Sequence, residues 1–177
     1  RTCHRNPGKH MTHTRLIATF FGVGLLRPAS GTWGSLAALA LGVLLHRIGH
    51  FPALALATLI VIPVGFWAIG REVAQSADKD PAEIVIDEVA GQWLALLFPS
   101  AAFYVTGAAS TVFPWPAWVA AFVFFRLFDI WKPGPIGRAD RRGDAKGVMI
   151  DDLWAGLFAG CATLIAAGLA HKILLEM

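Results

Sequence analysis

Between Arg126 and Gly156 the chain interleaves Arg126, Lys132, Arg138, Arg141, Arg142 and Lys146 with Asp129, Asp140, Asp144, Asp151 and Asp152, and long apolar runs flank this stretch on both sides. Unpaired charge is costly in an apolar interior and in a bilayer. The stretch must therefore lie where apolar segments end, with its charges paired or turned toward a ligand. Clustered carboxylates beside lysine and arginine are the groups that hold a divalent cation and a phosphate together.

The rest of the chain is poor in charge. Hydrophobic residues make up 56% and charged residues 15%, with a mean hydropathy of +0.58; soluble domains run near 45–50% and 25%. The 177 residues are enough for one domain with a buried core. A net charge of +3 suits an anionic membrane surface or a phosphate substrate. With no long basic stripe interleaved with aromatics, nucleic acid is not an expected partner. Cys3 and Cys161 have neither disulfide nor zinc-ligand spacing.

Residues 1–14 read as a disordered basic tail, and the ten residues before Met11 as additions upstream of the native start. Residues 15–177 read as a single helical domain. Ser30-Gly31-Thr32 offers capping side chains and free backbone N–H groups at the start of a helix over 33–45. Such a start either caps itself or binds an anion, with Thr32 a candidate phosphate contact. Further apolar runs cover 51–69, 84–103, 117–130 and 153–170, and Lys132-Pro133-Gly134-Pro135 ends the run at 117–130.

Threading these as five membrane segments with the N-terminus inside leaves only Arg47 and Lys172 of the 15 basic residues outside, as the positive-inside rule requires. Of the 12 acids only Glu176 falls outside. The expected fold is all-α, a compact bundle with several membrane-embedded or membrane-associated helices. The runs at 33–45 and 117–130 are short for a span of about 20 residues, so a peripheral or soluble bundle is the alternative.

Two passages echo each other: IVIDEVAGQW and VMIDDLWAGLFAG. Each sets two adjacent acids at the mouth of an apolar run. One acid of a pair would suffice to cap a helix; the second is costly there unless paired. A cation bridging Asp87, Glu88, Asp151 and Asp152 supplies that pairing, and all-oxygen ligands suit magnesium. Arg126 and Asp129, three apart in FVFFRLFDIW, form either an ion pair or part of a site. Lys132, Arg138 and Arg141 are candidate phosphate contacts; Arg142 reads as a basic loop residue meeting anionic lipid. His4, His10, His13, His46, His50 and His171 all lie away from these loops. A metal-activated water is thus favoured over a phosphohistidine route, with Asp87, Asp129, Lys132 and Asp152 as catalytic candidates.

The pieces GVGLLRPASGTWGSLAA, DPAEIVIDEVAGQW, FRLFDIWKPGPI and GVMIDDLWAG, in this order, resemble the phosphatidylglycerophosphatase A family. The resemblance covers most of the chain after Met11. It implies magnesium-dependent hydrolysis of phosphatidylglycerophosphate to phosphatidylglycerol and phosphate by a multi-pass protein of the bacterial inner membrane, with its site on the cytoplasmic face. It points to Asp80, Asp87, Glu88, Arg126, Asp129, Lys132, Asp151 and Asp152. The chain departs from the family pattern at Ser30, where proline is common, and in RRGDAKG, which lacks adjacent glycines. A CDP-alcohol phosphotransferase and a non-enzymatic transporter or assembly protein are the alternative readings; the DG…AR…G…D…D pattern of the former is missing.

Overall fold

The computed structural model describes residues 12–76 and 81–176. Among these the chain is all-α: α1 (His13–Ala18), a 3₁₀ turn (Val23–Leu25), α2 (Ser30–Ala74), α3 (Ile86–Val105), α4 (Trp115–Trp131), α5 (Pro135–Asp140) and α6 (Ala145–Glu176). The expected tail over 1–14 lies outside the described residues up to Met11. Helix α1 begins at His13, inside that expected tail, because Thr12 accepts the Arg15 amide at 3.1 Å and caps it.

Helix α2 contains the first two expected runs. Non-helical backbone at Gly49 and at His50, where φ is 57°, breaks it into two limbs. Contacts fix their directions. On the first limb Gly34 packs on Val85, Gly42 on Trp93 and Leu96, and His46 bonds Ser100 at 2.7 Å, so this limb runs parallel to α3. On the second limb His50 meets Tyr104, while Gly65 meets Ile86 and Met149, so this limb returns antiparallel. Helix α6 runs parallel to α3, with Gly156 on Gly91 and Gly160 on Phe98, and α4 runs against both. The start of α2, the starts of α3 and α6 and the end of α4 therefore share one end of the bundle. That end carries the charge, whereas the far end is aromatic: Phe113 stacks on buried His46 at 4.1 Å.

Each helix begins and stops for local reasons. Ala29 precedes α2 with φ 61° and no side-chain cap, so the capping expected from Ser30 and Thr32 is not made; Ser30 instead donates to the Ala82 carbonyl in the loop before α3. Lys132 closes α4 in the left-handed region, its amide on the Phe128 carbonyl at 2.8 Å, and the Pro133-Gly134-Pro135 run prevents continuation. Helix α6 starts eight residues before the expected run at 153. Asp144 accepts the Gly147 amide at 2.7 Å, an N-cap that carries the helix through Ala145 and Lys146 and sets Asp151 and Asp152 in its second turn.

Two helices are long and apolar enough to cross a membrane by length and composition, α2 and the Ala145–Ile173 part of α6. Large apolar side chains remain exposed along them, among them Leu56, Leu59, Ile60, Ile165 and Leu169, as a lipid-facing surface requires. Helix α4 is 17 residues long, about 25 Å, which lengthens the run expected at 117–130.

The tightest crossing joins α3 to α6. A Cβ on Gly156 would collide with the Gly91 carbonyl, and one on Gly91 with the Asp152 carbonyl and Phe125 ring. Alanine for glycine inside an ordinary helix gains about 0.5–1 kcal/mol. Here the sign reverses: Gly156→Ala is expected to lower stability by about 1–3 kcal/mol through overpacking, seen as a lower thermal midpoint in detergent. A raised midpoint would show that the helices have room.

Candidate functional site

The α3–α6 contact brings the two acid pairs together. Asp87 and Glu88 occupy the first turn of α3, Asp152 the second turn of α6. One carboxylate oxygen from each lies within 4.8 Å of the other two. Asp87 and Asp152 are buried and Glu88 is half-buried. An octahedral ion with oxygens at about 2.1 Å spaces those oxygens by at most about 4.2 Å. The three carboxylates thus need only a slight inward turn to meet one divalent cation, and the donor set is all oxygen.

Asp151, the fourth acid of the echoed pairs, is turned elsewhere. Its Oδ2 accepts from Lys132 Nζ at 2.9 Å, and Lys132 also donates to Asp140. Its Oδ1 accepts the Asp152 amide at 3.1 Å. The left-handed turn at Lys132 and the short helix α5 fold the lysine and Asp140 back over α6. Asp129, from the last turn of α4, accepts from Arg126 at 2.5 Å across one helical turn.

These groups surround a cavity of about 110 Å³ lined by Asp87, Glu88, Asp129, Lys132, Asp140, Gly143, Val148, Asp151 and Asp152. Arg126 borders it. A Cβ on Gly31 would overlap Glu88 Oε1 and approach Arg126 Nη1 within 3.5 Å, and Ser35 Oγ lies 3.4 Å from the same nitrogen. Six carboxylates face Lys132 and Arg126, so four formal negative charges are left over among the described residues. Asp87 and Asp151 do not cap their helices: Val85 precedes α3 without a side-chain cap, and Asp144 caps α6.

Of the residues singled out in the sequence, Asp87, Glu88, Asp129, Lys132, Asp151 and Asp152 line one cavity, with Arg126 beside it. Arg138 and Arg141 do not: both are exposed on or just after α5, and Arg141 folds back toward Gly137. Thr32 is half-buried in the first turn of α2, next to Gly31, and does not line the cavity. Asp80 lies outside the described residues. Sequence reasoning missed Asp140, Gly31 and Ser35 as site neighbours. Asp140 sits eight residues beyond Lys132 across a turn, a spacing with no helical signature. Gly31 matters because its lack of a side chain admits Glu88.

Burial alone lowers the pKa of Lys132, but its bonds to Asp140 and Asp151 outweigh this and raise it. Asp144 outside the cavity is held low by Arg142 and by the Gly147 amide. A raised lysine pKa contributes stability that is fully present below the unfolded value, near 10.4, and lost as pH rises through the higher folded value. Lys132 therefore stays charged throughout the neutral and mildly alkaline range. Lys132→Met is expected to cost on the order of 1 kcal/mol, screened by partial exposure, and the same amount at pH 7.5 and 9.5 in detergent unfolding. A gap that closes between those values would mean that the lysine loses its proton there.

A family model described as phosphatidylglycerophosphatase A matches residues 16–167. The chain is 36% identical over 145 residues to phosphatidylglycerophosphatase A of Haemophilus influenzae, covering 81% of this chain and 82% of that protein. It is 34% identical over 160 residues to phosphatidylglycerophosphatase A of Escherichia coli, covering 89% and 81%. A Bacteroides thetaiotaomicron protein provisionally named a phosphatidylinositol-3-phosphatase is 33% identical over 149 residues, covering 81% and 87%. No solved structure matches.

Proposed function

The chain belongs to the phosphatidylglycerophosphatase A family, and we propose that it hydrolyses phosphatidylglycerophosphate to phosphatidylglycerol and inorganic phosphate in a bacterial inner membrane. The observation that carries this reading is the convergence of Asp87, Glu88 and Asp152 on one point, at the helix ends, beside Lys132 and Arg126. Magnesium fits the all-oxygen set, and when bound there it supplies Lewis-acid charge to the phosphate and acidifies a water for attack on phosphorus.

The remaining chemistry belongs to the side chains. Lys132 is a fixed point charge: buried Asp151 anchors it from below, while the more exposed Asp140 shares its other side. An incoming phosphate competes with Asp140 for the ammonium without dislodging it from Asp151. Arg126, held by Asp129 on α4 and lying beside Gly31 and Ser35 of α2, offers planar donors to a second phosphate oxygen. Asp129 and Asp152 border the space in which a water is deprotonated. The cavity is small, suited to a phosphate rather than a whole headgroup, so the alcohol and acyl chains stay on the lipid side.

Topology supports the same assignment. Five segments with every clustered charge at one end agree with a multi-pass protein whose site faces the cytoplasm. The Bacteroides relative's name gives an inositol headgroup; both lipids carry a phosphate monoester on a polyol, and the two Phosphatidylglycerophosphatase A relatives favour the glycerol one.

Purified, detergent-solubilised protein is expected to release phosphate from phosphatidylglycerophosphate with magnesium, to lose this activity in EDTA and to regain it when magnesium is restored. Release from phosphatidylinositol 3-phosphate should be much slower; the reverse preference would move the reading to that substrate. Asp87→Asn and Asp152→Asn are each expected to reduce turnover at least about 100-fold with thermal midpoints preserved. Full activity in both would overturn the proposed site.

A further inference from the structure

Gln92 is fully buried on α3, four residues after Glu88, and so on the same face one turn deeper. Neither its Oε1 nor its Nε2 has a hydrogen-bond partner among the described residues. An amide placed in apolar surroundings without partners costs about 2–7 kcal/mol. Its neighbours along the helix do not relieve this: Val89 and Leu96 are apolar, and the Trp93 indole N–H is committed to the Ala38 carbonyl at 2.8 Å. A chain that needed only packing here would carry leucine or methionine.

Of the other buried atoms left without partners among the described residues, two belong to the site: Glu88 Oε2 and Arg126 Nε. Their side chains already meet at Gly31, where Glu88 Oε1 and Arg126 Nη1 converge. Beside the Glu88 carboxylate, an acceptor, there are thus two leftover groups of matching chemistry: the cationic donor of Arg126 at Gly31 and, one turn deeper on the same face of α3, an amide that both donates and accepts. One buried water with two to four polar partners would join such a set. Through it the amide N–H groups would donate toward Glu88 Oε2, and the amide oxygen would accept on the arginine side.

We propose that Gln92 is a positioning residue for Glu88, and that its amide, through a water, holds the carboxylate in the orientation that meets Asp87 and Asp152. This rests on the reading that the three carboxylates hold a divalent cation. Glu88 is the one of the three that most needs such a hold. Asp87 and Asp152 have short side chains seated on buried helix turns, whereas glutamate has a further rotatable bond and reaches across to Gly31, where no side chain fixes it from the α2 side. Groups behind a ligand that fix its orientation typically alter metal affinity about 10–100-fold when removed.

The test is the full chain in detergent, titrated with Mn²⁺ alone and followed by electron paramagnetic resonance, with thermal midpoints measured before metal is added. Gln92→Met keeps length and volume but removes both hydrogen-bonding atoms. It is expected to bind Mn²⁺ about 10–100-fold more weakly while its metal-free midpoint stays level or rises. Gln92→Asn, which keeps the amide on a shorter stem, should fall between Gln92→Met and wild type. Wild-type Mn²⁺ affinity in Gln92→Met overturns the proposal, as does a lowered metal-free midpoint or failure to fold, because the amide would then serve the fold instead. Wild-type protein that binds no Mn²⁺ removes the cation reading itself, and this proposal with it.

Discussion

Glu88 and Asp152 share one end of the bundle because two helices approach without side chains between them. Gly91 and Gly156 let the backbones of α3 and α6 touch, and that contact fixes the distance between the acid pairs. Ionised carboxylates with oxygens within 4.8 Å of one another repel by on the order of 3 kcal/mol per pair at an effective dielectric of about 20. Helix packing holds this repulsion in place, since neither helix can withdraw without exposing the core around Leu96, Phe125 and Ala155. The carboxylates become a site because the apolar packing leaves them no freedom to separate.

The same constraint explains the polarity of the whole molecule. Charge can accumulate only where the helices end, and four helix ends are brought to one side by the α2 hairpin and the alternating directions of α3, α4 and α6. At the opposite end buried His46 bonds Ser100 and stacks on Phe113, with Arg47 exposed next to it. A molecule built this way gathers its clustered acids and bases along one plane and exposes large apolar side chains along the helices. For a substrate whose phosphate is in water and whose chains are in lipid, this geometry needs no lid or cleft; the membrane surface does the sorting.

Much of this was legible in the sequence because it follows from where charge is tolerated. The all-α class, the stop at Lys132-Pro133-Gly134-Pro135 and the gathering of Asp87, Glu88, Asp129, Lys132, Asp151 and Asp152 all follow from apolar runs with acids at their mouths. The family fingerprint reinforced that reading. What was not legible depends on local turns. Asp144 starts α6 early, and a capping side chain in a loop with several aspartates cannot be singled out by spacing. The exposure of Arg138 and Arg141 follows from how α5 turns, and the Arg126–Gly31–Glu88 contact joins residues that no periodicity links. Helix α2 begins from a left-handed Ala29, a residue with no turn preference of its own, so neither Ser30 nor Thr32 is needed as a cap.

The echo between IDEV and IDDL suggests two equivalent pairs, but the fold uses them unequally. On α3 both acids stay with the cluster, because glutamate is long enough to reach round toward Gly31 and Arg126. On α6 the corresponding surface faces the α4–α5 turn, where Lys132 waits, and Asp151 goes to the lysine. The turn that follows α4, which brings Lys132 to Asp151 and leaves Asp87 without such a partner among the described residues, thus divides four acids into three that gather and one that anchors a cation. That division separates the two charges a phosphate site needs. On the reading proposed above, the anionic group draws in a cation, and the anchored lysine stays positive beside it instead of collapsing into the acids. Had Asp151 joined the others, Lys132 would be held by exposed Asp140 alone, and its position would depend on a surface ion pair of the kind that contributes little.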